Sequence, residues 1–309
     1  MIKTGGGRFQ THEKNVYFIA CNIANLLQTF DINNHVLIAI NEMNQGDDFL
    51  QKIIENPQKK VFVDSGVFNL AMTYARKHKV SHNIGLSMAP DDIDGFQDLF
   101  DKYVALLKRY GEHLWGYIEI DQGGRDNKIK TRTKLEALGL RPIPVYHPFT
   151  DGWDYFDELA TRYDRICFGN IVKANSSERK RFLATAWERK RAYPNLWIHF
   201  LGLTPNQWLN ALPISSGDSS SWLSSLRWTR FNSYNDGQRV GDFGRGFRYE
   251  RGADPQSPRG ADAAVKLVGY QSRMEMLAWR RHLQSVQELG ISLSPPYHSK
   301  ERPLERKRI

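Results

Sequence analysis

Asp64 closes the apolar run Val61-Phe62-Val63 and is followed at once by Ser65 and Gly66. Asp218 sits in the Ser/Gly-rich stretch Ser215-Ser216-Gly217-Asp218-Ser219, whose composition reads as a turn. Between the two, hydrophobic runs recur about every 25 to 30 residues, the spacing of strand–helix units. Two carboxylates at the mouths of distant strands are expected to converge on one bound substrate. Such a pair can divide nucleophilic and acid–base work between its members.

The elements that must carry these residues follow from the pattern. Strand-like runs fall at Val16–Ala20, Val36–Ile40, Val61–Val63, Leu114–Ile120, Ile143–Tyr146, Arg165–Phe168, Trp197–Leu201 and, more weakly, Leu212–Ser215. Helical spacing is expected over Asp98–Tyr110, Lys128–Leu138, Trp153–Arg162, Ser176–Arg191 and Pro205–Ala211. In the first of these, Leu99, Tyr103, Leu106, Leu107 and Tyr110 keep the three-four spacing of one helix face. Ser176-Ser177-Glu178 reads as a helix start, and Pro205 suits a first helical position. Alternating strands and helices predict a parallel sheet covered by helices, and eight units predict a (β/α)8 TIM barrel of class α/β. No GxGxxG or GxxxxGK[ST] follows a strand, which disfavours a dinucleotide or P-loop fold. The polar residues that end the runs would form one ring at the C-terminal face. They are Asn22, Asn41, Asp64, Glu119 with Asp121, His147, Gly169 with Asn170, His199 with Gly202, and Asp218.

Composition narrows the chemistry. The chain has 309 residues and a formal net charge of +9, from 43 Lys+Arg against 34 Asp+Glu, which favours a polyanionic partner. Its two cysteines, Cys21 and Cys167, lie in or beside apolar runs and read as reduced core residues. No CxxC, HxH or HExxH is present, so neither a metal nor another cofactor is expected. With no apolar signal core after Met1 and no run of about 18 apolar residues, an intracellular, cytoplasmic protein without membrane contact is expected. Residues 227–251 interleave Arg227, Arg230, Arg245 and Arg248 with Trp228, Phe231, Phe243 and Phe247 among glycines, a composition suited to phosphate contact and base stacking. The expected organisation is a catalytic barrel over 1–230, a Gly/Arg/aromatic loop and closing helix of the same domain over 231–299, the helix at Ala261–Leu289, and a basic tail over 300–309.

Read in order, several segments resemble the tRNA-guanine transglycosylase superfamily, and most of all the phage DNA 7-deazaguanine transglycosylases of the DpdA type. Val63-Asp64-Ser65-Gly66-Val67-Phe68 is similar to the family's DSGGFQ with one Gly replaced, and Glu119-Ile120-Asp121 falls where the family places an Asp that reads guanine. Pro144-Val145-Tyr146-His147 stands at the family's Gln-Gly-Gly strand end, and Phe168-Gly169-Asn170-Ile171 is similar to its Gly-Gly-Leu turn. Leu201-Gly202-Leu203-Thr204-Pro205 resembles the stretch before the nucleophile, and Gly217-Asp218-Ser219 matches the nucleophile's position. The likeness covers roughly residues 15 to 230.

The resemblance implies base exchange through a covalent glycosyl-enzyme, with Asp218 as nucleophile and Asp64 as general acid/base. It implies that Asp121 accepts the paired N–H donors of the base, with His147, Gly169, Asn170, Gly202 and Ser65 around it and Arg227, Arg230, Arg245 and Arg248 on the nucleic acid. Guanine in DNA, flipped from a duplex or in a single strand, would be exchanged for a free 7-deazaguanine base of the 7-cyano-7-deazaguanine type. The setting implied is the cytoplasm of a phage-infected bacterium, where the modification protects DNA against restriction. Two departures bear on this. Two cysteines cannot build the three-Cys, one-His zinc subdomain of the tRNA enzymes, and His147 replaces the family Gln; both point from tRNA towards DNA. The alternatives are a tRNA-guanine transglycosylase, a DNA glycosylase with water as acceptor, or a non-catalytic nucleic-acid-binding barrel.

Overall fold

Short runs of Val, Ile, Phe and Trp that are apolar on both faces make strands buried on both sides, and parallel pairing follows. The structure, a computed structural model, describes residues 1–10, 16–20, 34–42, 48–203 and 215–219. Its strands are β1 (Val16–Ala20), β2 (His35–Ala39), β3 (Lys60–Asp64), β4 (Gly116–Tyr117), β5 (Val145–Tyr146), β6 (Arg165–Phe168), β7 (Trp197–Phe200) and β8 (Ser215–Ser219). All pair in parallel, in the order β4-β3-β2-β1-β8-β7-β6-β5. The outermost strands are themselves linked just beyond their ends: Ile118 and Ile143 form a parallel bridge, with Ile143 N–H donating to Tyr117 O at 2.8 Å and Glu119 N–H to Ile143 O at 3.0 Å.

The helices among the described residues are α1 (Asp48–Ile54), α2 (Val67–Lys77), α3 (His82–Ser87), α4 (Phe96–Tyr110), α5 (Gly124–Ala137), α6 (Trp153–Arg162) and α7 (Ser176–Lys190). The four expected from spacing in this region, α4 to α7, are present within a few residues. The three-four spacing of α4 buries Tyr103, Leu106, Leu107 and Tyr110, each contributing roughly 1.5–3 kcal/mol of burial. α7 begins at Ser176 as expected, and the residue that caps it is Asn175: its side chain accepts from Glu178 N–H while the Glu178 carboxylate accepts from Asn175 N–H. Helices α1, α2 and α3 were not among the expected elements. The buried stripe of α2 is Val67, Ala71 and Ala75, small residues whose apolar signal is weak. No helix among the described residues is long and apolar enough to cross a membrane.

Two corrections concern strands. Ser215–Ser219 is a strand with every residue buried, so Asp218 lies within β8 rather than in a turn; of the expected run Leu212–Ser215 only Ser215 is among the described residues. Pairing with β1 on one side and β7 on the other overrides the local turn preference. Small side chains fit there because the neighbouring positions carry Phe18, Trp197 and His199. The run Leu114–Ile120 contains only a two-residue strand; past it backbone bonding continues through Glu119 N–H to Ile143 O, and side chains join in. Tyr103 Oη–H donates to Ile118 O at 2.6 Å, and Glu119 Oε1 accepts Val145 N–H at 2.6 Å.

The sheet has two distinct apolar sides. One packs against the helices, through Tyr103, Leu107, Phe156, Leu183 and Trp187. The other is built from strand and strand-flanking residues, among them Phe18, Leu37, Phe62, Trp115, Ile118, Val145, Cys167 and Trp197, with Phe9 packed against it. Their rings meet across the sheet: Trp115 lies 4.8 Å from Phe18, 5.0 Å from Phe62 and 6.0 Å from Trp197. At the strands' amino ends, buried Arg165 donates to Trp115 O, Thr4 Oγ1, Thr4 O and Gly5 O, tying residues 1–10 across that end. The opposite, carboxyl ends carry the polar residues. The expected helices at Pro205–Ala211 and Ala261–Leu289, the 231–299 segment and the 300–309 tail lie outside the described residues, as do Asn22 and the four arginines Arg227, Arg230, Arg245 and Arg248.

Candidate active site

Asp64 is the last residue of β3, paired in register with Ala39 of β2, while Asp218 is the fourth residue of β8 and pairs with Phe18 of β1. Sheet order therefore puts two strands, β1 and β2, between the carboxyls. Asp64 Oδ1 accepts Gly66 N–H at 3.3 Å and Ser65 Oγ–H at 3.4 Å. Ser65 Oγ in turn accepts Val67 N–H at the start of α2, so this buried hydroxyl serves the turn and the carboxyl together. Asp64 keeps some solvent contact, but crowding by protein atoms removes most of its hydration. Burial is the main reason its carboxyl is pushed up to about 6; the charges of Asp218 and Asp121 push the same way, against the hydrogen bonds from Gly66 and Ser65.

Asp218 is held through one oxygen. His199 Nε2 lies 3.1 Å and Gly202 N 2.9 Å from Oδ1. Gly202 can present its N–H there because its φ of +68° is one that side-chain-bearing residues rarely adopt. Behind the imidazole, His199 Nδ1 is 2.7 Å from Ser216 Oγ, which also receives Trp197 Nε1–H at 2.8 Å.

The third carboxylate, Asp121, follows β4. Its Oδ2 is 2.7 Å from His147 Nε2 and its Oδ1 is 3.8 Å from Lys128 Nζ. Burial alone would raise the Asp121 carboxyl, but His147, Lys128 and Lys173 together hold it below its ordinary value. Lys128, fully buried on α5, also donates to Asp151 Oδ2 at 2.7 Å and Val145 O at 2.9 Å, and Asp151 Oδ2 accepts His147 N–H at 2.8 Å. The imidazole needs room: a Cβ on Gly169 would sit 2.7 Å from His147 Cδ2 and Nε2. Gly169 N–H itself is committed to Tyr146 O at 2.8 Å, and Asn170 adopts a left-handed φ of +58° at the head of the short turn Ile171–Lys173.

Of the residues expected from sequence, Asp64, Asp121 and Asp218 thus share one electrostatic neighbourhood, Gly202 and Ser65 each touch a carboxyl, and Gly169 backs His147. Glu119 does not join them. It is fully buried at the β4–β5 seam, paired with Arg132 Nη1 at 2.7 Å. Three contributors carry more than the sequence assigns them. His199 is expected only as one member of the ring, although its alternation with Trp197 along β7 puts it on the same side as that residue. Lys128 and Asp151 carried no signal, since a lysine and an aspartate are ordinarily solvent-facing. Among the described residues no three His, Cys, Asp or Glu side chains are grouped as metal ligands would be.

No family model and no curated protein matches this sequence. A designed cube-shaped, highly porous protein cage made by fusing symmetric oligomeric domains is 15% identical, with a TM-score of 0.40 over 91% of this chain and 81% of its own. The YdjI aldolase from Escherichia coli K12 is 13% identical, with a TM-score of 0.37 over 90% and 91%. Likeness at this level bears on neither fold nor chemistry.

The raised Asp64 carboxyl has a testable cost. The folded chain keeps that proton up to about pH 6 whereas an unperturbed carboxyl loses it near 3.8, so the native state binds the extra proton in this window. Stability from this group is therefore present at acid pH and lost as pH rises through the window. Asp64→Asn, which keeps an acceptor for Gly66 and Ser65, is expected to be more stable than the unaltered chain at pH 8 by about 2 kcal/mol after allowance for solvent contact, and no more stable at pH 4. Urea unfolding at the two pH values measures this; a gain equal at both would show that Asp64 carries no such penalty.

Proposed function

We propose that this chain is a base-exchange transglycosylase that replaces guanine in DNA with a 7-deazaguanine derivative, of the 7-cyano-7-deazaguanine type. The observation that carries the reading is the shared neighbourhood of Asp64, Asp121 and Asp218 at the carboxyl ends of one parallel sheet, with Asp64 holding its proton up to about pH 6. We read that sheet as a closed (β/α)8 barrel. The Ile118–Ile143 bridge between the outer strands supports closure, as does the apolar side whose buried members include no helix residue.

In the first step, Asp218 attacks C1′ of the deoxyribose as the C1′–N9 bond breaks, and Asp64 gives its proton to the departing guanine. In the second, N9 of the incoming base attacks C1′, the ester bond to Asp218 breaks, and Asp64 recovers a proton from the incoming base. Asp121 accepts base N–H donors, with His147 beside it. Exclusion of water keeps the intermediate from ending as an abasic site. The +9 charge suits a polyanionic substrate, and Arg227, Arg230, Arg245 and Arg248 are proposed to hold its backbone. The setting proposed is a phage-infected bacterial cytoplasm, with protection from restriction as the benefit.

Purified protein, labelled 7-cyano-7-deazaguanine and either DNA or tRNA test the reading by mass spectrometry of released nucleosides. The expected product is a modified deoxynucleoside from DNA and none from tRNA. Label in tRNA alone would make this a tRNA enzyme, and abasic sites without added base would make it a glycosylase. Binding without any base release would leave a nucleic-acid-binding protein.

A further inference from the structure

We propose that His199, oriented by Ser216 and Trp197, is a positioning residue that leaves Oδ2 of Asp218 as the attacking oxygen; this rests on the nucleophile role given to Asp218 above. The direction of the hydrogen bonds follows from which atoms can donate. Indole Nε1 is a donor only, so at 2.8 Å Ser216 Oγ must accept from Trp197. Ser216 Oγ keeps one lone pair and one hydroxyl proton for His199 Nδ1, 2.7 Å away, so the choice falls to the other ring nitrogen: the Asp218 carboxylate that attacks in the scheme above can only accept, and Nε2 donates to its Oδ1 at 3.1 Å. A neutral imidazole with its proton on Nε2 accepts at Nδ1, where it takes the Ser216 hydroxyl proton. One tautomer therefore satisfies the whole chain from indole to carboxyl.

The arrangement is also fixed in space. Register pairs His199 of β7 with Ser216 of β8, so the two side chains are neighbours by strand pairing rather than by loop contact. Trp197, His199 and Ser216 are all essentially buried, and the ring of Phe62 meets the imidazole edge-on at 4.6 Å. Gly202 N–H adds a second donor to the same oxygen at 2.9 Å. Both donors thus fall on Oδ1, which leaves Oδ2 as the oxygen for the sugar in this scheme.

This distribution assists both halves of the exchange. When Oδ2 bonds to C1′, Oδ1 becomes the ester carbonyl oxygen and keeps its two donors. When the incoming base displaces Asp218, negative charge returns to the carboxylate, and the same N–H groups are already in place to receive it. His199 touches neither base nor sugar in this scheme, so its effect belongs in kcat and not in base affinity.

Two measurements test the proposal. In 15N-labelled protein, imidazole NMR is expected to show His199 protonated at Nε2 with Nδ1 as an acceptor, and Ser216→Ala is expected to alter that pattern. In base exchange, Ser216→Ala and His199→Phe are expected to lower kcat by about 10- to 100-fold with the KM for the base unchanged, while His199→Gln, whose amide N–H reaches towards Oδ1, recovers most of the loss. A proton on Nδ1, or equal loss in the Gln and Phe variants with unaltered melting, would overturn the positioning role. Absence of any base exchange in the unaltered protein would instead sink the transglycosylase reading, and the NMR result would still decide the hydrogen-bond chain.

Discussion

Asp218→Asn is expected to abolish base exchange, with a loss of ~10⁴-fold or more in kcat, because an amide cannot form the glycosyl ester on which both steps depend. The fold should survive the change. Asn keeps an oxygen at Oδ1, so His199 and Gly202 keep their acceptor, and melting is expected to move by only a few degrees. A second readout does not require activity. The charge of Asp218 is one of the groups that raise the Asp64 carboxyl, so its removal should let Asp64 fall from about 6 towards its ordinary value. Carboxyl NMR titration of both proteins measures that movement. Retained activity would remove Asp218 from the chemistry, and an unmoved Asp64 titration would separate the two carboxyls.

The second large effect lies outside the site, at the seam that holds Asp121 and His147 in place. Glu119 sits between β4 and β5 and serves both: Oε2 meets Arg132 and Oε1 takes Val145 N–H. Glu119→Ala leaves a buried guanidinium without its carboxylate and a buried N–H without its acceptor, and is expected to cost about 3–5 kcal/mol. For a chain of this size that is a fall of roughly 10 °C or more in melting temperature. Glu119→Gln, which keeps an oxygen for Val145, should lose markedly less. Equal, small losses in both variants by urea unfolding would show that the seam does not depend on this side chain.

How far the fold was legible depended on how local its cause is. β1 and β6 coincide with their expected runs, and α4 and α6 begin and end within two residues of theirs, because an unbroken apolar run marks a parallel strand and burial along one stripe of a helix leaves a period in the sequence. Asp64 was legible for the same reason, as a polar residue ending an apolar run. β8 was not: Ser-Ser-Gly-Asp-Ser has the composition of a turn, and only its two neighbouring strands make it a strand. Helix α2 was missed because its buried stripe is mostly alanine.

The site divides along the same line. Sequence alone supplied the residue types: three aspartates at or near strand ends, a histidine after β5, and glycines where the chain turns. Tertiary structure alone decided their partners. His147 meets Asp121 across 26 positions, Lys128 reaches Asp151 across 23, and Asp218 takes its donors from His199 and Gly202. Burial of Lys128 and Glu119 likewise depends on charges brought from other elements, since a lone lysine or glutamate of the same local sequence would face water. A strand's period is written in adjacent residues, whereas the state and direction of a buried charge are set by whatever folding brings beside it.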